Sequence, residues 1–225
     1  MREILLVDKP KGISSFDVIR ILRKKLKIKK IGHAGTLDPQ ATGLLIIGVG
    51  KGTKKLQKFL KLPKIYLMEV LLGKKTETGD LEGEILEEKE VKKIDIKKVK
   101  EILKNLTGEI ELRVPLYSAV KISGVPLYKL ARKGVKIKTP LKKMKIYKLA
   151  LLNHFPKDKY YILKIKMKCG SGTYARSVVE EIGRKLDLPA TLSNLRRTKI
   201  GHFSVEKAIK IEKINSKNWQ KFLSK

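Results

Sequence analysis

The residues equipped for chemistry crowd into one short stretch, Gly32-His33-Ala34-Gly35-Thr36-Leu37-Asp38-Pro39-Gln40-Ala41-Thr42-Gly43. It holds three glycines, one histidine, two threonines and a single carboxylate, Asp38, followed at once by proline. Glycine permits backbone angles closed to other residues, and Pro39 pushes Asp38 away from helical geometry. Such a loop aims one carboxylate, a group fit to act as nucleophile or general base. The same pattern describes an ordinary turn in which Asp38 caps a neighbouring segment, and the local pattern alone leaves both readings open.

The elements that must hold this loop follow from periodicity. The apolar run Leu44 to Val49 predicts a buried strand directly after it. Glu3 to Val7 predicts a short buried strand before it, and Ser14 with Asp17 forms a capping box that opens a helix through about Lys27. A short helix ends near Phe59, and Lys64 to Gly73 reads as a strong strand. The turn from Lys74 to Gly83 carries the rival carboxylate, Asp80, whose acidic, glycine-rich surroundings suit a surface turn. Glu87 to Lys93 reads as a charged linker, Asp95 to Leu106 as an amphipathic helix and Gly108 to Val114 as an alternating strand. Met144–Phe155 and Tyr160–Cys169 read as two strands. A helix follows with Val178, Val179, Ile182 and Leu186 on one face, and another short helix starts at Ser204 and runs to Ile209.

Composition narrows the partners. Among 225 residues, 53 Lys+Arg against 22 Asp+Glu give a net charge of +31. That excess favours a polyanion, nucleic acid ahead of an anionic membrane surface, although a lysine bias of this kind also arises in proteins from hot organisms. No run approaches the roughly 18 apolar residues of a membrane span, and the N-terminus does not resemble a secretory signal. Cys169 is the single cysteine, and His33, His154 and His202 lack ligand spacing, so neither a disulfide nor a metal site is expected. Gly50-Lys51-Gly52-Thr53-Lys54 lacks the spacing of a nucleotide-binding phosphate loop. The expectation is a cytoplasmic, metal-free protein that meets nucleic acid.

GHAGTLDPQATGLL resembles the GHxGxLDPxATGxL signature of the TruB family of tRNA pseudouridine synthases. Further blocks match in order. DKPKGISSFDV is similar to the opening DKPxGxTS, and Thr53-Lys54 to the family's G-x-x-T-K. KIYLMEVLLG with the turn after it resembles K-x-Y-x(6)-G-x-x-T-x-T-x-D-x-x-G. PLYSAVKISGVPLYKLARKGV resembles the thumb block, with Leu112 and Val114 in place of the usual Gln and Pro. CGSGTYARSV resembles CSKGTYIRSL, with Gly170-Ser171 where Ser-Lys is usual, and TLSNLRRTKIGHF resembles the last block.

What the resemblance implies is specific. The fold is α+β, the pseudouridine synthase fold: a mixed, largely antiparallel sheet flanked by helices, with an RNA-binding thumb at about 118–143. Residues 1–225 form a single catalytic domain without the family's C-terminal RNA-binding (PUA) domain. Asp38 falls on the catalytic residue. Tyr66, Tyr174, Arg176, Leu195, His33, Lys9 and Lys54 fall on or near the substrate pocket. Lys121, Lys129, Arg132, Lys133, Arg196 and Arg197 are expected on the RNA backbone. An arginine such as Arg176 beside Asp38 would favour its ionised form. The implied reaction turns the T-loop uridine at position 55 of tRNA into pseudouridine after flipping it out, with no cofactor, no protein partner and a monomeric enzyme. A guide-RNA-dependent relative and a non-enzymatic RNA-binding protein are the alternatives.

Overall fold

A computed structural model describes residues 3–135 and 137–223. Its chain gathers into two compact units, Met1–Leu67 with Asn194–Lys225, and Met68–Ser193.

The first unit contains β1 (Ile4–Lys9), α1 (Ser15–Leu26), β2 (Ile31–Ala34), β3 (Thr42–Val49), a 3-10 turn (Gly50–Lys55), α2 (Leu56–Leu60) and the start of β4 (Lys64–Leu72). In the second lie the rest of β4, then β5 (Lys74–Thr76), β6 (Ile85–Glu88), α3 (Ile96–Asn105), β7 (Gly108–Arg113), β8 (Lys121–Ile122), β9 (Val125–Pro126), α4 (Leu127–Ala131), β10 (Leu141–Lys157), β11 (Tyr160–Cys169) and α5 (Ala175–Leu186). β12 (Ala190–Ile200) carries the chain back to the first unit, which closes with β13 (Phe203–Ser204) and β14 (Ile209–Lys210).

The spine of the first unit is β3. β1 lies antiparallel to it with Leu6 opposite Ile46, β2 pairs antiparallel to its second half, and β12 runs parallel to its start with Arg197 opposite Gly43. One face, Leu5, Val7, Leu45 and Ile47, packs on Val18, Ile19, Leu22 and Leu26 of α1. The other, Ile4, Leu6, Leu44 and Ile46, packs with Phe203, and Phe59 of α2 lies against that cluster. Burial on both faces explains why β3 reads as a continuous apolar run rather than an alternation. The expected capping box is present, with Asp17 N on Ser14 Oγ and Ser14 N on Asp17 Oδ2.

In the second unit β10 lies antiparallel to β11 on one side and β7 on the other, and α3 and α5 pack against this sheet and each other. Two expectations change. Ile85–Glu88, expected at the edge of a linker, forms β6 against β5; all four residues are exposed, so no core alternation marked it as a strand. The stretch after Ser204 is not a helix but a 3-10 turn (Val205–Lys207) followed by β14 on β1. Ile211 and Ile214 beyond it are buried beside α1, which ties this segment to the core. No helix among the described residues is long and apolar enough to cross a membrane.

Candidate functional site

The loop between β2 and β3 is held from every side while its carboxylate is not buried. On the residue before Asp38, Leu37 N donates to Ser15 Oγ (2.8 Å) and Leu37 O accepts from the same hydroxyl (3.1 Å). On the residue after it, Pro39 O accepts from Gly12 N (2.9 Å) and from Lys9 Nζ (3.1 Å). Ala41 N donates to Asp38 O (3.0 Å), closing the turn. The side chains of Leu37 and Ala41 are buried, whereas Asp38 between them is partly exposed. Fixing both neighbours removes backbone freedom from the aspartate before any substrate arrives.

Lys9 is the base of this loop. It is fully buried, and its ammonium donates to three carbonyls, Pro10 O (2.9 Å), Ile13 O (2.6 Å) and Pro39 O (3.1 Å). A buried cation is costly unless so satisfied. Burial brings its pKa down to about 8, against the opposing pull of the Asp38 carboxylate, with Arg197 adding to the decrease. Lys9 therefore shapes the loop from beneath.

Arg197 corrects an expectation. Placed on the RNA backbone by sequence, it is instead almost wholly buried, with Nε on Leu44 O (2.8 Å) and Nη2 on Gly35 O (2.9 Å). Those carbonyls sit at the exit and entrance of the Asp38 loop, so one planar guanidinium braces both stems. Gly43 makes this possible: its φ is +103°, and a Cβ there would stand 2.3 Å from the Arg197 carbonyl oxygen. A signal was present in the sequence, because adjacent strand residues point to opposite faces and Arg196 and Arg197 cannot share one job. Arg196 points the other way and grips Asp8 with both terminal nitrogens (3.1 and 2.8 Å), remaining partly exposed.

His33 lies in β2, with Nδ1 buried and without a hydrogen-bond partner among the described residues. Burial, then Arg197, push its pKa below the usual value, so the ring is neutral at pH 7. Leu195 in β12 is buried one residue before Arg196, and Tyr66 in β4 is partly buried. Lys54 is exposed on the 3-10 turn after β3, with no ion pair among the described residues.

In the second unit the organising side chain is Arg176, buried at the start of α5. Its Nη1 donates to Thr78 O (3.0 Å) and its Nη2 to Tyr117 O (2.9 Å). The turn at Thr76–Glu82, the Tyr117 segment and the helix thus converge on one guanidinium. Asp80, the rival carboxylate, is buried rather than on a surface turn; it accepts from Thr78 Oγ1 and Glu82 N and so shapes this turn. Tyr174 stands at the N-cap position of α5, with Lys142 Nζ 5.2 Å from its ring centroid.

The expected thumb contains the hairpin of β8 and β9 and then α4; residue 136 within it lies outside the described residues. Lys121, Lys129, Arg132 and Lys133 are all exposed, and the Arg132 guanidinium sits 5.7 Å from the Tyr128 ring centroid. The structure thus groups Lys9, His33, Asp38 and Arg197 in the first unit, and Tyr174 with Arg176 at the head of α5 in the second.

Comparison with known proteins follows the same lines. The model of the TruB family pseudouridylate synthase N-terminal domain matches residues 23–175. The tRNA pseudouridine synthase B of Clostridium tetani is 42% identical over 223 residues, 99% of this chain and 76% of that protein. Its counterpart in Endomicrobium trichonymphae is 41% identical over 213 residues, 95% and 91% of the two. Among solved structures, a Cbf5-Nop10-Gar1 complex superposes at a TM-score of 0.70 with 28% identity over 93% of this chain; the chain spans about half, 52%, of the matched one. A mixed sheet, helices packed against it and one clamped aspartate loop define a pseudouridylate synthase. The chain belongs to the TruB family of these enzymes.

Proposed function

We propose that this protein isomerises uridine to pseudouridine in tRNA, at the T-loop uridine of position 55, with Asp38 as the reacting group. The observation that carries the reading is the Asp38 loop: its flanking residues are fixed by Ser15, Gly12 and Lys9, and its stems by Arg197, while the carboxylate itself is not buried. That is preorganisation of one charge at a reacting centre. Relatives at about 40% identity over nearly the whole chain carry the name tRNA pseudouridine synthase B, which favours this reading over a guide-RNA-dependent one.

The reaction balances within the nucleotide. The N1–C1′ bond breaks, the uracil turns, a C5–C1′ bond forms, the C5 proton leaves and N1 takes one up. A uridine within a folded loop must be extruded for this. Tyr66 offers a ring for the flipped base to stack on, Leu195 an apolar wall and neutral His33 a body to occupy the vacated space. Exposed Lys121, Lys129, Arg132 and Lys133 hold phosphates. Lys54 serves the pocket edge, Tyr174 and Arg176 the substrate side of α5. The enzyme acts as a cytoplasmic monomer without a protein partner.

The test is to incubate the protein with unmodified tRNA transcript and map pseudouridine by position. The expected result is a single modified site, in the T loop. Modification elsewhere, or only on addition of a guide RNA, would overturn it.

A further inference from the structure

The exposed positions of β10 and β11 in the second unit's sheet are rich in lysine. On β10, Met144, Ile146 and Leu149 turn inward, and Lys143, Lys145, Tyr147 and Lys148 turn out. On β11, Ile165, Met167 and Cys169 turn inward, with Lys166 and Lys168 exposed. Neither strand contains a single carboxylate, in a chain with 22 acids to 53 bases. Compositional lysine bias at that ratio would scatter some acids among these positions. Five acids of this unit, Glu87, Glu111, Glu180, Glu181 and Asp187, line a cavity of about 500 Å³.

The lysines are also arranged. A register shift between Ile146 and Lys148 marks a bulge at Tyr147, and a bulge re-aims the side chain it carries. The exposed Tyr147 ring has Lys145 Nζ 5.9 Å and Lys168 Nζ 5.8 Å from its centroid. One aromatic ring thereby gathers ammonium groups from two strands by cation–π attraction. Beyond the bulge Lys148 lies directly opposite Lys168, a like-charge pair that destabilises a sheet. Lys145 is answered by Glu109 (3.4 Å) and Lys164 by Glu69 (3.2 Å). Lys148, Lys166 and Lys168 have no carboxylate within 4.0 Å among the described residues, whereas Lys143 stands opposite Glu111 in the β7–β10 register. Lys148, Lys166 and Lys168 thus gather like charge across two adjacent strands while the lysines at their edges are paired, an arrangement that an external polyanion completes.

We propose that this outer face of β10 and β11 is a second RNA-binding surface, which holds the phosphate backbone of an RNA arm without reading its sequence. Lys148, Lys166 and Lys168 are its phosphate contacts, and Tyr147 is the post that holds Lys168 beside Lys145. RNA is chosen as the polyanion because of the tRNA reading above, on which this proposal rests.

The experiment uses the full chain, labelled unmodified tRNA and a salt series. The triple variant Lys148→Gln/Lys166→Gln/Lys168→Gln is compared with a control of equal charge change on α3, Lys97→Gln/Lys98→Gln/Lys100→Gln. Each phosphate contact contributes roughly 0.7 to 0.9 to the slope of log affinity against log salt. The sheet triple should therefore lose about 20- to 40-fold less affinity than wild type between roughly 50 and 200 mM salt. The α3 triple should follow wild type in both affinity and salt slope. Tyr147→Leu should weaken binding at low salt with all lysines present. Equal effects of the two triples would reduce the face to unspecific charge, and an unchanged slope in the sheet triple would remove it. Loss of binding to anionic phospholipid vesicles with tRNA binding intact would assign the face to a membrane instead. Binding is read without turnover, so failure of the proposed reaction and failure of this surface are separate results.

Discussion

Lys9 and Asp38 show how a single loop balances burial against charge. Lys9 is buried with its donors on three carbonyls, and its pKa falls to about 8. Between about pH 8 and the ordinary lysine value of 10.5 the unfolded chain holds a proton that the folded one has released, so over that window this group makes stability rise with pH. Below pH 8 both forms hold the proton and the contribution is flat. Lys9→Met removes the titration. The difference in unfolding free energy between wild type and variant, from urea melts, should be constant up to about pH 8 and then move in favour of wild type. A flat difference across the range would show that Lys9 titrates normally. Tyr66 offers a second test. If it is a stacking platform, Tyr66→Phe should hold the tRNA better than Tyr66→Leu by roughly 1–3 kcal/mol. Equal Kd values for the two would return Tyr66 to a packing role.

Two strands and a loop form the unit that must not move. Arg197 braces Gly35 O and Leu44 O, and Gly43 gives way to the Arg197 backbone. Arg197→Met leaves both carbonyls without that donor while filling similar space. Misplacing a reacting group by about 1 Å can cost on the order of 100-fold in rate. The expected result is a kcat lowered by about that factor, with tRNA affinity within about twofold because phosphate contacts dominate binding. A raised Kd with normal kcat would restore Arg197 to the RNA backbone. Gly43→Ala places a Cβ 2.3 Å from a backbone oxygen at positive φ and should lower stability by about 2 kcal/mol or more; an unchanged thermal midpoint would contradict the packing. The sequence made the β3 run, the α1 capping box and the Asp38 loop legible, since each is written in neighbouring residues. Long-range closure was not: nothing next to Arg197 says that its guanidinium reaches Gly35, 162 residues away. β6 escaped because its residues are exposed on both faces, and the buried Asp80 turn because its partners, Thr76 and Thr78, look like ordinary loop threonines.

Basic residues run through the whole chain, which carries +31, but acids are not evenly mixed among them. Lysine dominates the outer sheet face and the thumb, whereas the acids collect around β5, β6 and α5. Affinity for tRNA should accordingly fall steeply with salt, and chemistry should depend on the one clamped carboxylate. Binding and turnover are then separable, and Asp38→Asn separates them, because it removes a charge from a loop whose clamps are backbone atoms of its neighbours. The most direct measurement is single-turnover formation of pseudouridine in unmodified tRNA by Asp38→Asn, read beside its filter-binding curve. The expected result is no product, with a Kd within about twofold of wild type, since phosphate contacts supply most of the affinity. Product formed at a near-normal rate by Asp38→Asn would contradict it.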